Sequence, residues 1–520
     1  MMAWAALVVL AAWFVWDDWE TYSLFGDDFI YISEALDRDR LLSHLMEPHN
    51  THIVPLFRLW TWLWTSAAGS LSGLVDAFRA ASFFALAAAA GLVALLVRRE
   101  TGRSWVTFVA AVLLVFGSAL PPSVRWYSAG QALWAGTAIT ATLLAAQSWR
   151  RRPGVLRGVV LLATAATAPT IWTGGHLAGP AAAMYLLVRE GDAATNPQRP
   201  RRLLLMAAGL CALSVVEVAV ELVLVRGEME RTAIIWERHG ELWPRPIQGV
   251  LHTFRAIAEE SLLGNLGVDA ELTEFQAVAL TAGVLGIWWW ATRGRGPNGL
   301  EAAGATMVIG CYLMTYWFRG NLPYESLRPV RWYHAVPQVG VVICAAGVLA
   351  RAAVWRGSGE AGSRLSRAGL AGILAFAAVW AGLHLPRFER DWMEAAAPMT
   401  ALEQQQFATS EMRYLRAVYL AEATRTRQIR HLRRLEQAER IAANSGVGVD
   451  SLRRAFGRVL VPGIPEKQKS SDAFDLLRLP AESRPRPGIS EVLTELEHLV
   501  VEEPMRPPPW ATPGGAMPGS

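Results

Sequence analysis

Ten apolar runs, most of them close to the length of a membrane crossing, alternate along this chain with short polar segments. They lie near residues 1–16, 77–97, 104–122, 128–149, 158–188, 203–225, 274–292, 300–318, 331–350 and 368–386. A membrane helix needs about 20 predominantly apolar residues. The first run is short unless Trp16 and Trp19 sit at the interface, a position that suits them. No Lys or Arg precedes it and no small-x-small site follows, so it reads as an uncleaved anchor.

The run 158–188 is long for one crossing and short for two. Pro169, Gly174, Gly175 and Pro180 interrupt it, and Arg-rich segments, RRRPGVLR and REGDAATNPQRPRR, flank it on both sides. Flanks of one charge belong on one side of the membrane, the cytoplasmic one. The pattern therefore predicts two short helices that turn at Thr173–His176 on the far side. Residues 98–103, 293–295 and 351–367 are also basic and read as cytoplasmic, while the acidic segment 17–52 reads as outside. Loops 226–273 and 319–330 fall outside by alternation. This gives an all-α polytopic membrane protein of about eleven crossings, with a cytoplasmic N-terminus and an extracytoplasmic C-terminus. Residues 53–71, with Trp60, Trp62, Trp64 and Arg58, suit a juxtamembrane helix rather than a crossing, because a crossing there would invert every later charge assignment.

Three regions follow: a transmembrane domain at 1–386 with its first outer loop at 17–76, a helical extracytoplasmic region at 387–502, and a Pro/Gly-rich tail at 503–520 expected to be disordered. Within the second region, 400–443 carries a helix pattern stopped by NSGVG, and a shorter helix is expected near 489–502. No internal repeat is visible.

Composition agrees with the pattern. Of 520 residues 52% are hydrophobic and 18% charged, with 23 Trp and a mean hydropathy of +0.24; soluble chains carry about 25% charged residues. The net charge of +4 matters less than its placement. Lys467 and Lys469 are the sole lysines, a bias that suits a GC-rich genome. Cys211, Cys311 and Cys344 all lie in apolar runs without a CxxC partner, so they read as small packing residues. No nucleic-acid partner is expected.

Candidate chemistry concentrates in the first outer loop. Nine acidic side chains fall within residues 17–52, among them the adjacent pair Asp27-Asp28 just beyond the first run. Residues 31–45 suit a short amphipathic helix, and His49-Asn50-Thr51-His52 leads to Pro55. A carboxylate partly desolvated at an interface can act as a general base; acidic residues also simply solvate an outer loop. His49 and His52 could contact a phosphate, shape the turn, or join Asp27 and Asp28 around a divalent cation, although the spacing matches no known zinc motif. His176 falls at the tip of the short helix pair. Glu217 and Glu221 are four apart on one face of a span, near Arg226, and an acid within a membrane segment is a functional candidate. For phosphate recognition, Arg125, Arg319, Arg328 and Arg331 lie at outer ends of spans, where a guanidinium can bind phosphate oxygens or merely snorkel.

The order of these elements resembles the GT-C superfamily of membrane glycosyltransferases, which includes the protein O-mannosyltransferases and the lipid A aminoarabinose transferase. Asp27-Asp28 is similar to the acidic pair after the family's first helix. His52-Ile53-Val54-Pro55-Leu56 is similar to its HPPL-like turn, with one residue inserted and one proline lost. Arg79, in DAFRAASFF, is similar to the Arg that opens the family's next helix, and RWYHAVP at Arg331–Pro337 to its R-Y-x-x-P element, which brings in Tyr333. The resemblance implies a GT-C-like bundle in a bacterial plasma membrane that moves a sugar from a polyprenyl-phosphate donor to an extracytoplasmic acceptor. It implies Asp27 as general base, Asp28 as a catalytic partner, and His49, His52, Arg79, Arg125, Arg328, Arg331, Tyr333 and Glu217 as substrate-binding residues. Two alternatives stand beside it: a transporter or lipid flippase without covalent chemistry, and a non-catalytic relative that has kept the fold.

Overall fold

The computed structural model describes residues 31, 35, 41–48, 52–67, 71–115, 117, 120, 123–124, 127–188, 198–237, 245–266, 268, 270–292, 298–317, 324, 328 and 331–355. Asp27, Asp28, His49, Arg125, Arg319, the runs 1–16 and 368–386, and all of 387–520 lie outside the described residues. Among the described residues there are helices and no strand.

The helices are α1 (Leu41–Leu45), α2 (Pro55–Ala67), α3 (Leu71–Thr101), α4 (Ser104–Val115), α5 (Gly130–Arg151), α6 (Val155–Thr167), α7 (Ala178–Leu187), α8 (Gln198–Glu237), α9 (Arg245–Ala256), α10 (Glu274–Thr292), α11 (Gly299–Trp317) and α12 (Ala335–Trp355). A π-helical stretch, Ile257–Leu263, continues α9, and a 3-10 turn, Arg331–His334, leads into α12. Two compact units are distinguished. The larger holds residues 45–57 and those from 81 to 355; the smaller holds the described residues up to 44 and 58–80.

Most helices fall where the apolar pattern puts them. The run 158–188 is the expected pair, α6 and α7, joined by 3-10 turns at Ala168–Thr170 and Thr173–Leu177. The segment expected as a juxtamembrane helix is α2, which starts at Pro55, where a fixed φ and a missing N–H suit the first helical turn. Among the described residues, two helices are long and apolar enough to cross a membrane, Ala77–Thr101 and Pro200–Val225.

Three boundaries differ from the pattern. α4 ends at Val115 instead of reaching residue 122: Gly117 weakens the helix just beyond that end, and the Pro121-Pro122 pair bars its continuation through residue 122. α8 runs to Glu237 instead of stopping at Val225, since RGEMERTAIIWE holds good helix formers and no proline comes before Pro244. The segment 226–273, expected as a loop, is largely helical: it holds the end of α8, then α9 and its π-helical continuation. Low overall hydropathy hid that amphipathic helix.

The larger unit is a helical bundle in which α11 packs along α12 and also against α7 and α9. α12 and α11 approach closely at Gly340 and Gly304; a Cβ on Gly340 would stand 2.8 Å from the Gly304 carbonyl oxygen. Small residues at such crossings let helix backbones approach closely. Leu133, Ile139 and Leu143 of α5 and Val336, Val339 and Ile343 of α12 are wholly buried in the apolar middle.

One end of this unit is closed by ion pairs. Glu100 at the end of α3 accepts from Gln147 Nε2 and Tyr185 Oη, each at 2.6 Å, and from Arg150 Nη2 at 3.4 Å. Arg150 also donates to the Tyr185 carbonyl and lies 4.7 Å over the Tyr185 ring. Beside it, Glu301 at the start of α11 takes a forked pair from Arg351 of α12, at 3.0 and 2.5 Å. It accepts further from Asn298 at 2.9 Å and Trp288 at 3.0 Å. The helix ends gathered here are those with the Arg-rich flanks.

Candidate functional site

The opposite end of the bundle is built differently. Pro169 ends the helical ladder of α6, and the chain turns through Thr173-Gly174-Gly175-His176. Glycine is required there: a Cβ on Gly175 would collide with the Ala168 carbonyl, and one on Gly174 with the Trp172 ring. The turn sets Thr173 and His176 against α8, where Glu217 and Glu221 lie one helical turn apart on the same face. From the other direction the segment before α2 brings in His52 and Ile53.

Five side chains meet in this way. The His176 Nε2 and Glu221 Oε2 atoms are in direct hydrogen-bond contact. His176 Nδ1 faces Glu217 Oε2 at 4.0 Å. The Thr173 hydroxyl lies 2.5 Å from His52 Nδ1 and donates to Glu221 Oε1 at 3.5 Å. The Ile53 N–H donates to the same oxygen at 3.4 Å. Glu221 thus joins three segments distant in sequence. His176 is 5% exposed, and its Nδ1 and Glu217 Oε1 are buried without hydrogen-bond partners. A paired imidazole and carboxylates of this kind are suited to proton transfer. Among the described residues no three His, Cys, Asp or Glu side chains are placed to hold a metal ion. Here the imidazole and carboxylates are turned onto each other.

A second polar cluster surrounds the π-helical stretch. π-turns place side chains out of helical register and recur at functional sites. This one buries two adjacent acids. Glu260 accepts from Arg328 Nε at 2.9 Å; Glu259 accepts from Arg255 Nε at 3.2 Å and from the Leu272 N–H at 2.8 Å. Arg328 also lies 3.5 Å from Glu271. Behind the acids, Tyr312 Oη is 3.1 Å from Ser261 Oγ and 3.0 Å from His334 Nδ1. His252, Tyr316 and Tyr324 pack ring to ring, and Arg255 stacks 4.2 Å over Tyr324. Burial, with the neighbouring Tyr316, Glu259 and Glu260, holds the Tyr324 phenol above its ordinary pKa, so it remains a protonated donor.

Of the residues nominated from sequence, His52, His176, Glu217 and Glu221 are brought together. Arg328 and Tyr333 belong to the second cluster's surroundings: Arg328 is bound by carboxylates, and Tyr333 packs on the aromatic group. Arg79 is buried on α3 in the smaller unit. Arg331 is in the 3-10 turn before α12 and Arg226 in α8; the described features of both are backbone alone. Sequence reasoning missed Glu259, Glu260, Arg255, Tyr312, Tyr316, Tyr324, His252 and His334. The signals were present: Arg255 and Glu259 are four apart, Tyr312 and Tyr316 recur at helical spacing, and His334 lies inside RWYHAVP.

No protein-family model matches the chain, and no curated protein matches it. Among solved structures, it is similar to the archaeal oligosaccharyltransferase AglB from Archaeoglobus fulgidus, in complex with an inhibitory peptide and a dolichol-phosphate. The match has 15% identity and a TM-score of 0.41, and covers 75% of this chain and 56% of that one. This chain thus spans little more than half the length of that protein.

Proposed function

We propose that this chain is a membrane glycosyltransferase of the GT-C type, moving a sugar from a polyprenyl-phosphate-linked donor to an extracytoplasmic acceptor. The observation that carries this reading is the docking of His52. The residue that opens the His-x-x-Pro-Leu turn is held by Thr173, whose hydroxyl also bonds Glu221. The first-loop motif and an acid of α8 therefore belong to one site. In this reading Asp27, at the start of the same loop, removes the acceptor hydroxyl's proton, and Asp28 orients a partner. Arg331 and Arg125 bind the leaving phosphate, a role the forked guanidinium suits. Arg328 serves that role less well, because Glu259, Glu260 and Glu271 already neutralise it.

The test is a transfer assay in membranes with a polyprenyl-phosphate sugar. Asp27→Asn is expected to lower turnover by at least about 100-fold, the contribution of a positioned base. Equal transfer by both proteins would sink the assignment.

The Glu217–His176–Glu221 trio favours a second reading, proton-coupled transport, since such trios suit proton relays within membranes. Substrate-driven proton flux in reconstituted vesicles, without any transferred sugar, would establish it instead.

A further inference from the structure

We propose that His176, Glu217 and Glu221 form a proton-binding site: at neutral pH the trio holds one proton more than a neutral imidazole with two carboxylates. The ligand is the proton itself, and the inference does not depend on glycosyl transfer. Both ring nitrogens of His176 face carboxylate oxygens, Nε2 bonded to Glu221 Oε2 and Nδ1 at 4.0 Å from Glu217 Oε2. A neutral imidazole has one N–H and one lone pair. Whichever nitrogen carries the hydrogen, the other aims a lone pair at a carboxylate. Two acceptors then face each other beside a buried ring, between carboxylates only partly exposed to water, where an unpaired polar atom weighs more than in bulk solvent.

One added proton, on the ring or on Glu217, places a donor opposite an acceptor and lowers the trio's negative charge. The site is built for that closure: Nδ1 and Glu217 Oε1 are buried without partners, on a histidine that is 5% exposed. Among the described residues, the charged or titratable groups facing the ring are Glu217 and Glu221 of α8 and, through the Thr173 hydroxyl, His52. α5, α6, α7 and α11 also pack against the turn, and the ion-pair contacts of the ring are those with Glu217 and Glu221. Leu177 fills the side toward Gly310 of α11.

The experiment uses the full chain in lipid vesicles at neutral pH, with 15N-labelled histidine for solid-state NMR and with infrared spectroscopy of the carboxylic-acid stretch. His176→Gln assigns the ring signal. Glu217→Gln and Glu221→Gln, which keep side-chain shape, assign the acid band and also serve if His176→Gln does not fold. The expected result is either a His176 ring protonated at both nitrogens or a carboxylic-acid band that one of the two Gln variants removes. A His176 ring with one bare nitrogen, together with no acid band sensitive to either variant, overturns the proposal.

Discussion

Two buried polar networks of the larger unit contain the same kind of acid and treat it in opposite ways. Glu301 is wholly buried and receives a forked Arg351 pair, an amide donor and an indole donor. Glu217 and Glu221, on α8, meet a histidine and a hydroxyl and no described arginine, and Glu217 Oε1 has no hydrogen bond. An arginine is permanently charged, so its partner is a fixed strut. Histidine changes charge near neutral pH, so its partner takes part in an equilibrium. The first network ties helix ends together; the second keeps a proton available where the His52 segment docks.

The largest stability effect is expected at the strut. Arg351→Met removes the cation from a carboxylate that stays buried, and breaking such a pair costs about 3–5 kcal/mol. It should appear as a marked fall in the thermal unfolding midpoint in detergent, and adding Glu301→Gln should recover part of the loss. A loss well under 1 kcal/mol would mean that the pair is not holding α11 to α12. Arg150→Met should cost less, about 1–3 kcal/mol, because Arg150 meets a partly exposed Glu100 at 3.4 Å, whereas Arg351 forks onto a wholly buried Glu301 at 3.0 and 2.5 Å. If it costs more than Arg351→Met, bond length and burial do not rank these networks.

How far these regions could be read beforehand depends on what each one rests on. Helix positions rest on apolar length and breakers, so α6, α7, α10 and α11 were legible to within a few residues. The π-helical acids were not, because α9 has a mean hydropathy near that of a loop and a π-turn has no sequence period of its own. His52, His176, Glu217 and Glu221 were each visible singly, as a turn histidine or an acid in an apolar run. Their meeting was not visible, since it depends on the TGGH turn folding back against Ala168 and onto α8. Glu301 passed unnoticed, since an acid at the first turn of a span reads as ordinary flanking charge.

Thr173→Val is a smaller perturbation. It keeps shape but removes the hydroxyl between His52 and Glu221, at a cost of about 1 kcal/mol in stability. Under the glycosyl-transfer reading it should reduce transfer more than its stability loss explains, because it unties the first-loop segment from α8. Unchanged transfer, with the stability loss present, would leave His52 as a packing residue.

The smallest stability effect is expected where the contrast is sharpest. Glu217→Leu takes away a carboxylate whose Oε1 is buried and unbonded and whose Oε2 stands 4.0 Å from its nearest described partner. Removing a polar group that already lacks its bonds relieves a desolvation penalty, so replacement by an apolar side chain is near neutral or stabilising, within about 1 kcal/mol. Under the glycosyl-transfer reading activity should fall all the same, an exchange of function for stability. Should Glu217→Leu instead destabilise the protein as much as Arg351→Met, then Glu217 is a strut as well. The division between arginine-held and histidine-held acids would then collapse into one class of structural pair.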